Sequence, residues 1–136
     1  MATAPRNRGE EIEQARLIKW SHKVAVRELM PELAWLHHSP NGGKRDALAG
    51  AQMRALGVKR GFPDLILPVA NPHKAGIVIE MKSATGSTSS EQKEWLAHFE
   101  RQNWEIRVAR SAQEARSHLC QYLGITPDSA PALESA

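Results

Sequence analysis

Apolar and polar positions change period several times along the chain, and each change marks an element. Across residues 10–30, Ile12, Ala15, Leu17, Ile18, Trp20, Val24, Val26 and Leu29 form a broad apolar surface before Pro31, which predicts one long helix. Residues 33–38 are short enough for a first strand, and Pro40-Asn41-Gly42-Gly43 reads as a loop. Residues 46–56, rich in Ala, Leu and Met, predict a second helix with Asp46 as N-cap and Gly57 as its stop. Strands follow at 64–69 and 76–83. Ser89 and Gln92 have the spacing of a capping box, and Trp95, Leu96 and Phe99 supply the buried face of the third helix. Trp104, Ile106 and Val108 alternate with Glu105, Arg107 and Ala109 as a fourth strand. Ser111 and Glu114 repeat the capping spacing, Ala115, Leu119, Tyr122 and Leu123 face inward, and Gly124 ends the last helix. Residues 1–9 and 125–136 are expected to be a disordered start and a flexible tail around one domain at 10–124. The order helix, strand, helix, strand, strand, helix, strand, helix is that of an α/β layered domain with a mixed sheet.

The strand at 76–83 carries the chemistry. Alternation places Glu80 and Lys82 on the face of Val78, and Ile77, Ile79 and Met81 on the other. Asp64 opens the preceding strand, and Asn71-Pro72-His73-Lys74 between the two is turn chemistry. If the strands pair as a hairpin, Asp64 and Glu80 converge near one end of the sheet with Lys82 beside them. Two carboxylates and a lysine so placed can hold a hard divalent cation and position a water. Blander readings exist for each residue. Lys82 could be a strand lysine paired with Glu80 or Asp64, and Gln92 could serve only its capping box. Glu10 could be a helix N-terminal acid favoured by the macrodipole, with Glu11 and Glu13 near enough to leave the register open.

Composition and charge narrow the partners. At 136 residues the chain is long enough for one cored domain, and no apolar run approaches the ~20 residues that span a bilayer. The N-terminus has no apolar segment of a secretory kind, so a cytoplasmic location is expected. Cys120 is the only cysteine, which excludes an internal disulfide and a multi-cysteine zinc site. His37 and His38 would point to opposite faces of a strand, so oxygen ligands are expected for any metal. Net charge is +3, but residues 41–61 hold five basic side chains against one acid. That segment reads as a solvated face or, because it leads straight to Asp64, as a surface for a phosphate-bearing partner.

Taken together, Asp64 with Glu80-Met81-Lys82 in this element order resembles the PD-(D/E)XK nuclease superfamily. Helical Glu10 with Gln14, the Pro40 to Arg45 loop, the run from Gly57-Val58 to Gly61-Phe62-Pro63-Asp64, and Glu80-Met81-Lys82 followed by Ser89-Ser90-Glu91-Gln92 resemble the virus-type replication-repair nuclease (VRR-NUC) domain, from about residue 10 to 123. The resemblance implies a Mg²⁺- or Mn²⁺-dependent endonuclease on a restriction-endonuclease-like fold. Asp64, Glu80 and the Met81 carbonyl would hold metal, with Glu10 approaching directly or through a water. Lys82 would orient the attacking water, and Gln92 would both cap its helix and point at the site. Lys44, Arg45, Lys59 and Arg60 are candidate phosphate contacts, while Asn41, Gly42 and Gly43 would allow close backbone approach to DNA. Stand-alone members, typical of bacteriophages, imply a homodimer acting on branched DNA such as a Holliday junction in replication, repair or recombination. A flap or restriction-type nuclease is the alternative, and so is a non-catalytic DNA-binding module on the same fold.

Overall fold

The computed structural model describes residues 8–39 and 47–135. In chain order the helices are α1 (Arg8–Ser21), α2 (Val24–Leu29), α3 (Ala47–Ala55), α4 (Ser90–Arg101) and α5 (Ala112–Tyr122). The strands are β1 (His37–His38), β2 (Leu65–Leu67), β3 (Ile77–Met81) and β4 (Glu105–Ala109), with short 3-10 turns at Pro31–Trp35 and Pro127–Ser129. The sheet runs β1-β2-β3-β4; the first two pairings are antiparallel and β3 lies parallel to β4. A parallel neighbour needs a crossover, and α4 is that crossover. This is the expected mixed sheet flanked by helices.

Alternation along β3 divides the molecule into layers. Ile77, Ile79 and Met81 join Leu65 and Leu67 in a core closed by Leu17 and Trp20 of α1 and by Ala115, Leu119 and Cys120 of α5. Val78 faces the other way, onto Leu96 and Phe99 of α4, with Ile66, Trp104, Ile106 and Val108 packed around them. Residues that leave β3 with Val78 therefore emerge on the α4 side. Among the described residues no helix is long and apolar enough to cross a membrane.

Three expectations change. The single helix predicted for residues 10–30 is two, parted at His22 and Lys23. Ser21 donates its hydroxyl to the Ile18 carbonyl at 2.7 Å, and its own carbonyl accepts from Arg27 Nε at 2.5 Å, so local side-chain bonds replace helical ones. Most of the predicted first strand is a 3-10 turn led by Pro31, leaving only His37–His38 to pair with Leu65 and Ile66. Residues 127–131, expected to belong to a flexible tail, are packed. Trp20 Nε1 donates to the Pro131 carbonyl at 2.7 Å, and Arg116, itself buried, donates to the carbonyls of Pro127, Ala130 and Pro131. Composition points to fraying there, but two side chains from the helical layer satisfy the segment's main chain.

Candidate active site

The β2–β3 register pairs Leu65 with Ile79, so one step outward Asp64 stands opposite Glu80. Both carboxylates are buried, Asp64 at 4% exposure and Glu80 at 2%. The Asp64 backbone N–H donates to Glu80 Oε1 at 3.2 Å, and the Met81 N–H donates to Asp64 Oδ2 at 2.8 Å, so each acid is oriented by the other's strand. In an extended strand a residue's N–H and C=O leave on the same edge, which directs the Met81 carbonyl toward Asp64. Lys82 follows, its backbone N–H held by the Ala109 carbonyl at 2.9 Å. Its ammonium lies 3.6 Å from Glu80 Oε2.

Gln92 reaches this group from the first turn of α4. Its Oε1 accepts from the Ser89 N–H at 2.8 Å, completing the capping box, and from Lys82 Nζ at 2.8 Å. Its Nε2 donates to Glu80 Oε2. Capping and site contact are thus made by one side chain. The Lys82–Glu80 ion pair of the blander reading also forms, so that pairing and a position beside the acids coexist.

The α1 side holds a residue that sequence reasoning set aside. His38 Nδ1 lies 2.7 Å from Gln14 Nε2 and 3.0 Å from the Asp64 carbonyl. That carbonyl also accepts the Ser39 N–H at 2.9 Å, so Asp64, Ser39, His38 and Gln14 form one polar cluster beside the acid pair. Gln14 Oε1 remains buried with no hydrogen-bond partner among the described residues. Strand alternation could have found His38, since it turns inward while His37 stays exposed.

Of the three candidate acids on α1, Glu13 is engaged elsewhere. Its carboxylate accepts the Ala112 N–H at 2.9 Å and pairs with Arg16 at 3.0 Å, placing a negative charge on the N-terminus of α5. Glu11 is exposed, and Glu10 shares the helix side of Gln14. Among the described residues no three of His, Cys, Asp and Glu gather as a metal cluster. Lys59 and Arg60 are exposed on the turn before Asp64. Asn41, Gly42, Gly43, Lys44 and Arg45, with the proposed N-cap Asp46, lie outside the described residues.

Glu13 provides a pH-dependent test of the fold. The Ala112 N–H, with the Arg16 charge adding to it, holds the carboxyl below the ordinary glutamate range despite partial burial. A depressed value contributes stability above the unfolded-state pKa, and that contribution is lost as pH falls through the folded one. Glu13→Gln is expected to lose about 1 kcal/mol at pH 7, because the bond is charge-assisted but partly exposed. The gap between the two urea midpoints should close as pH drops below roughly 4. A gap constant with pH would assign the effect to shape alone.

The donor set suits a hard divalent cation. Two carboxylates and a carbonyl are oxygen ligands of the kind Mg²⁺ and Mn²⁺ take. Two buried carboxylates this close repel one another, and a cation between them would offset that. Fold and acid–lysine set together define a nuclease of the PD-(D/E)XK type. Within that class the chain belongs to the VRR-NUC family, whose domain matches residues 8–113. A solved structure described as a VRR_NUC domain protein is similar, with a TM-score of 0.68 and 28% identity over 85% of this chain and 88% of that one. Curated proteins yield no match. Nucleases of this type generally use divalent metals and act on DNA.

Proposed function

We propose that the chain is a divalent-metal-dependent, structure-selective DNA endonuclease that resolves four-way junctions as a homodimer. The observation that carries this reading is the convergence of Asp64, Glu80 and Lys82 at one end of the β2–β3 hairpin, with Gln92 bridging acid and lysine. Asp64, Glu80 and the Met81 carbonyl would hold Mg²⁺ or Mn²⁺. A bound ion of this kind polarises the phosphate and lowers the pKa of a coordinated water. Lys82 orients the attacking water and offsets charge at the scissile phosphate. Gln92 is a positioning residue, fixing Lys82 against Glu80. Glu10 supports the site from α1 through a water. Lys59 and Arg60 contact phosphates, and such contacts position DNA without reading its sequence, which favours recognition by shape. A two-fold symmetric junction needs two sites, and a C2 homodimer supplies them.

The test is cleavage of end-labelled four-way junction, flap and linear duplex in Mg²⁺ or Mn²⁺, with an EDTA control. Paired symmetric cuts in the junction, abolished by EDTA, are the expected result. Cutting confined to flaps or to discrete sites in duplex would replace the resolvase with another nuclease. Tight binding without cutting in either metal would leave a DNA-binding module.

A further inference from the structure

An open groove of about 730 Å³ lies across the first turns of α4 from the acid pair. Its volume falls in the range of small-ligand sites, roughly 300–1,000 Å³. Lys59 and Arg60 form one wall, and Trp95, His98 and Arg101 line it from α4 at helical spacing. Trp95 departs from its expected place in the buried face of that helix. It is half-buried, at the margin of the α4 cluster, with Leu96 and Phe99 taking the interior.

The indole is held in a fixed orientation. Its Nε1–H donates to the Arg60 carbonyl at 2.9 Å, and Phe62 meets it edge-on with ring centroids 4.9 Å apart. An aromatic surface already immobilised loses little entropy when a flat partner stacks on it. The groove also contains Glu91 and Glu94. A continuous duplex backbone would bring phosphates against those two carboxylates and be repelled. An unstacked nucleotide suits all three chemistries: its base takes the indole, its amino edge donates to a carboxylate, and its phosphate meets Lys59, Arg60 or Arg101.

The groove and the acid pair share one helical turn. Gln92 turns to Glu80 and Lys82 while Glu91 and Trp95 turn to the groove, and the backbone at Gly61 presses against Glu91 and Gln92. We propose that this groove holds an unpaired nucleotide of the strand being cut, with its base on Trp95. The proposal rests on the endonuclease reading and adds to it a preference for DNA with unpaired bases beside the cleavage point.

The experiment measures equilibrium binding of the full chain, in EDTA at low salt, to three labelled hairpins: blunt, with a short single-stranded tail, and with the same tail made abasic. The abasic tail keeps the phosphates and removes the bases. Wild type is expected to bind the tailed DNA about tenfold tighter than the abasic one, the size of a base–aromatic stack. Trp95→Ala should abolish that difference, Trp95→Phe should keep most of it, and Lys59→Glu should weaken both tailed forms alike. Equal wild-type affinities for the tailed and abasic DNA would overturn the proposal, even if Trp95→Ala failed to fold. A preference unchanged in a folded Trp95→Ala would overturn it too. Cleavage is assayed separately with Mg²⁺. Base-dependent binding without any cutting would remove the nuclease and leave the nucleotide site.

Discussion

Replacing Lys82 by alanine is expected to slow single-turnover cleavage by about 100- to 1,000-fold, the usual cost of deleting one charge-stabilising group from an active site. DNA affinity should fall by no more than a few-fold, because Lys82 is nearly buried and the exposed Lys59 and Arg60, proposed above to meet phosphates, remain. Two roles compete for this residue. If it only neutralises Glu80, its removal leaves a buried carboxylate with less compensation, and the loss appears as stability. Cleavage would then decline only as far as the folded fraction does. If it acts on the water or the phosphate, the rate collapses in protein that is still folded. Single-turnover rates measured beside a circular-dichroism melt separate the two. A variant fully folded and fully active would remove Lys82 from the mechanism.

The second large effect is expected at Gly61. This residue has φ +82° and lies so close to α4 that an added Cβ would stand 2.6 Å from the Glu91 carbonyl carbon and 2.8 Å from the Gln92 nitrogen. Neither is a flexible side-chain end, so strand entry or helix must move. Gly57 offers an internal control, with φ +104° and nothing within 4 Å of its own Cβ position. Gly57→Ala should cost about 1 kcal/mol, the left-handed backbone penalty alone. Gly61→Ala adds steric overlap and should cost about 3 kcal/mol in total, a drop in Tm of about 10 °C. It should also impair cleavage in the folded fraction, because the backbone displaced is that of Gln92, which positions Lys82. Equal melts for the two variants would show that α4 yields freely at this contact.

What the sequence discloses of this site is what short-range chemistry encodes. Alternation assigned Glu80 and Lys82 to the Val78 face, and turn residues at 71–74 brought Asp64 to Glu80, with Asn71 Oδ1 accepting from the N–H groups of His73 and Lys74. Capping spacing located the start of α4 and with it Gln92. Ser111 likewise caps α5, although Glu114 answers to the Arg110 N–H rather than completing a box. Hidden features depend on partners far along the chain. Glu13 meets Ala112 and His38 meets Gln14 across 99 and 24 residues, and no local period reports such pairs. The break at His22 carries no proline or glycine, and the bond from Arg27 to the Ser21 carbonyl that accompanies it is visible only in three dimensions. Trp95 was misplaced because a helical period marks a face but not how deeply its margin is covered.

Across residues 127–131, Trp20 and Arg116 grip only carbonyl oxygens, which every amino acid offers. Recognition there is blind to side-chain identity, except at Ala130, whose methyl joins the core. Substitutions can therefore accumulate along this stretch while its path persists, and relatives that share the strap need not resemble one another within it. The record of its presence would be written in the indole and the guanidinium that receive it.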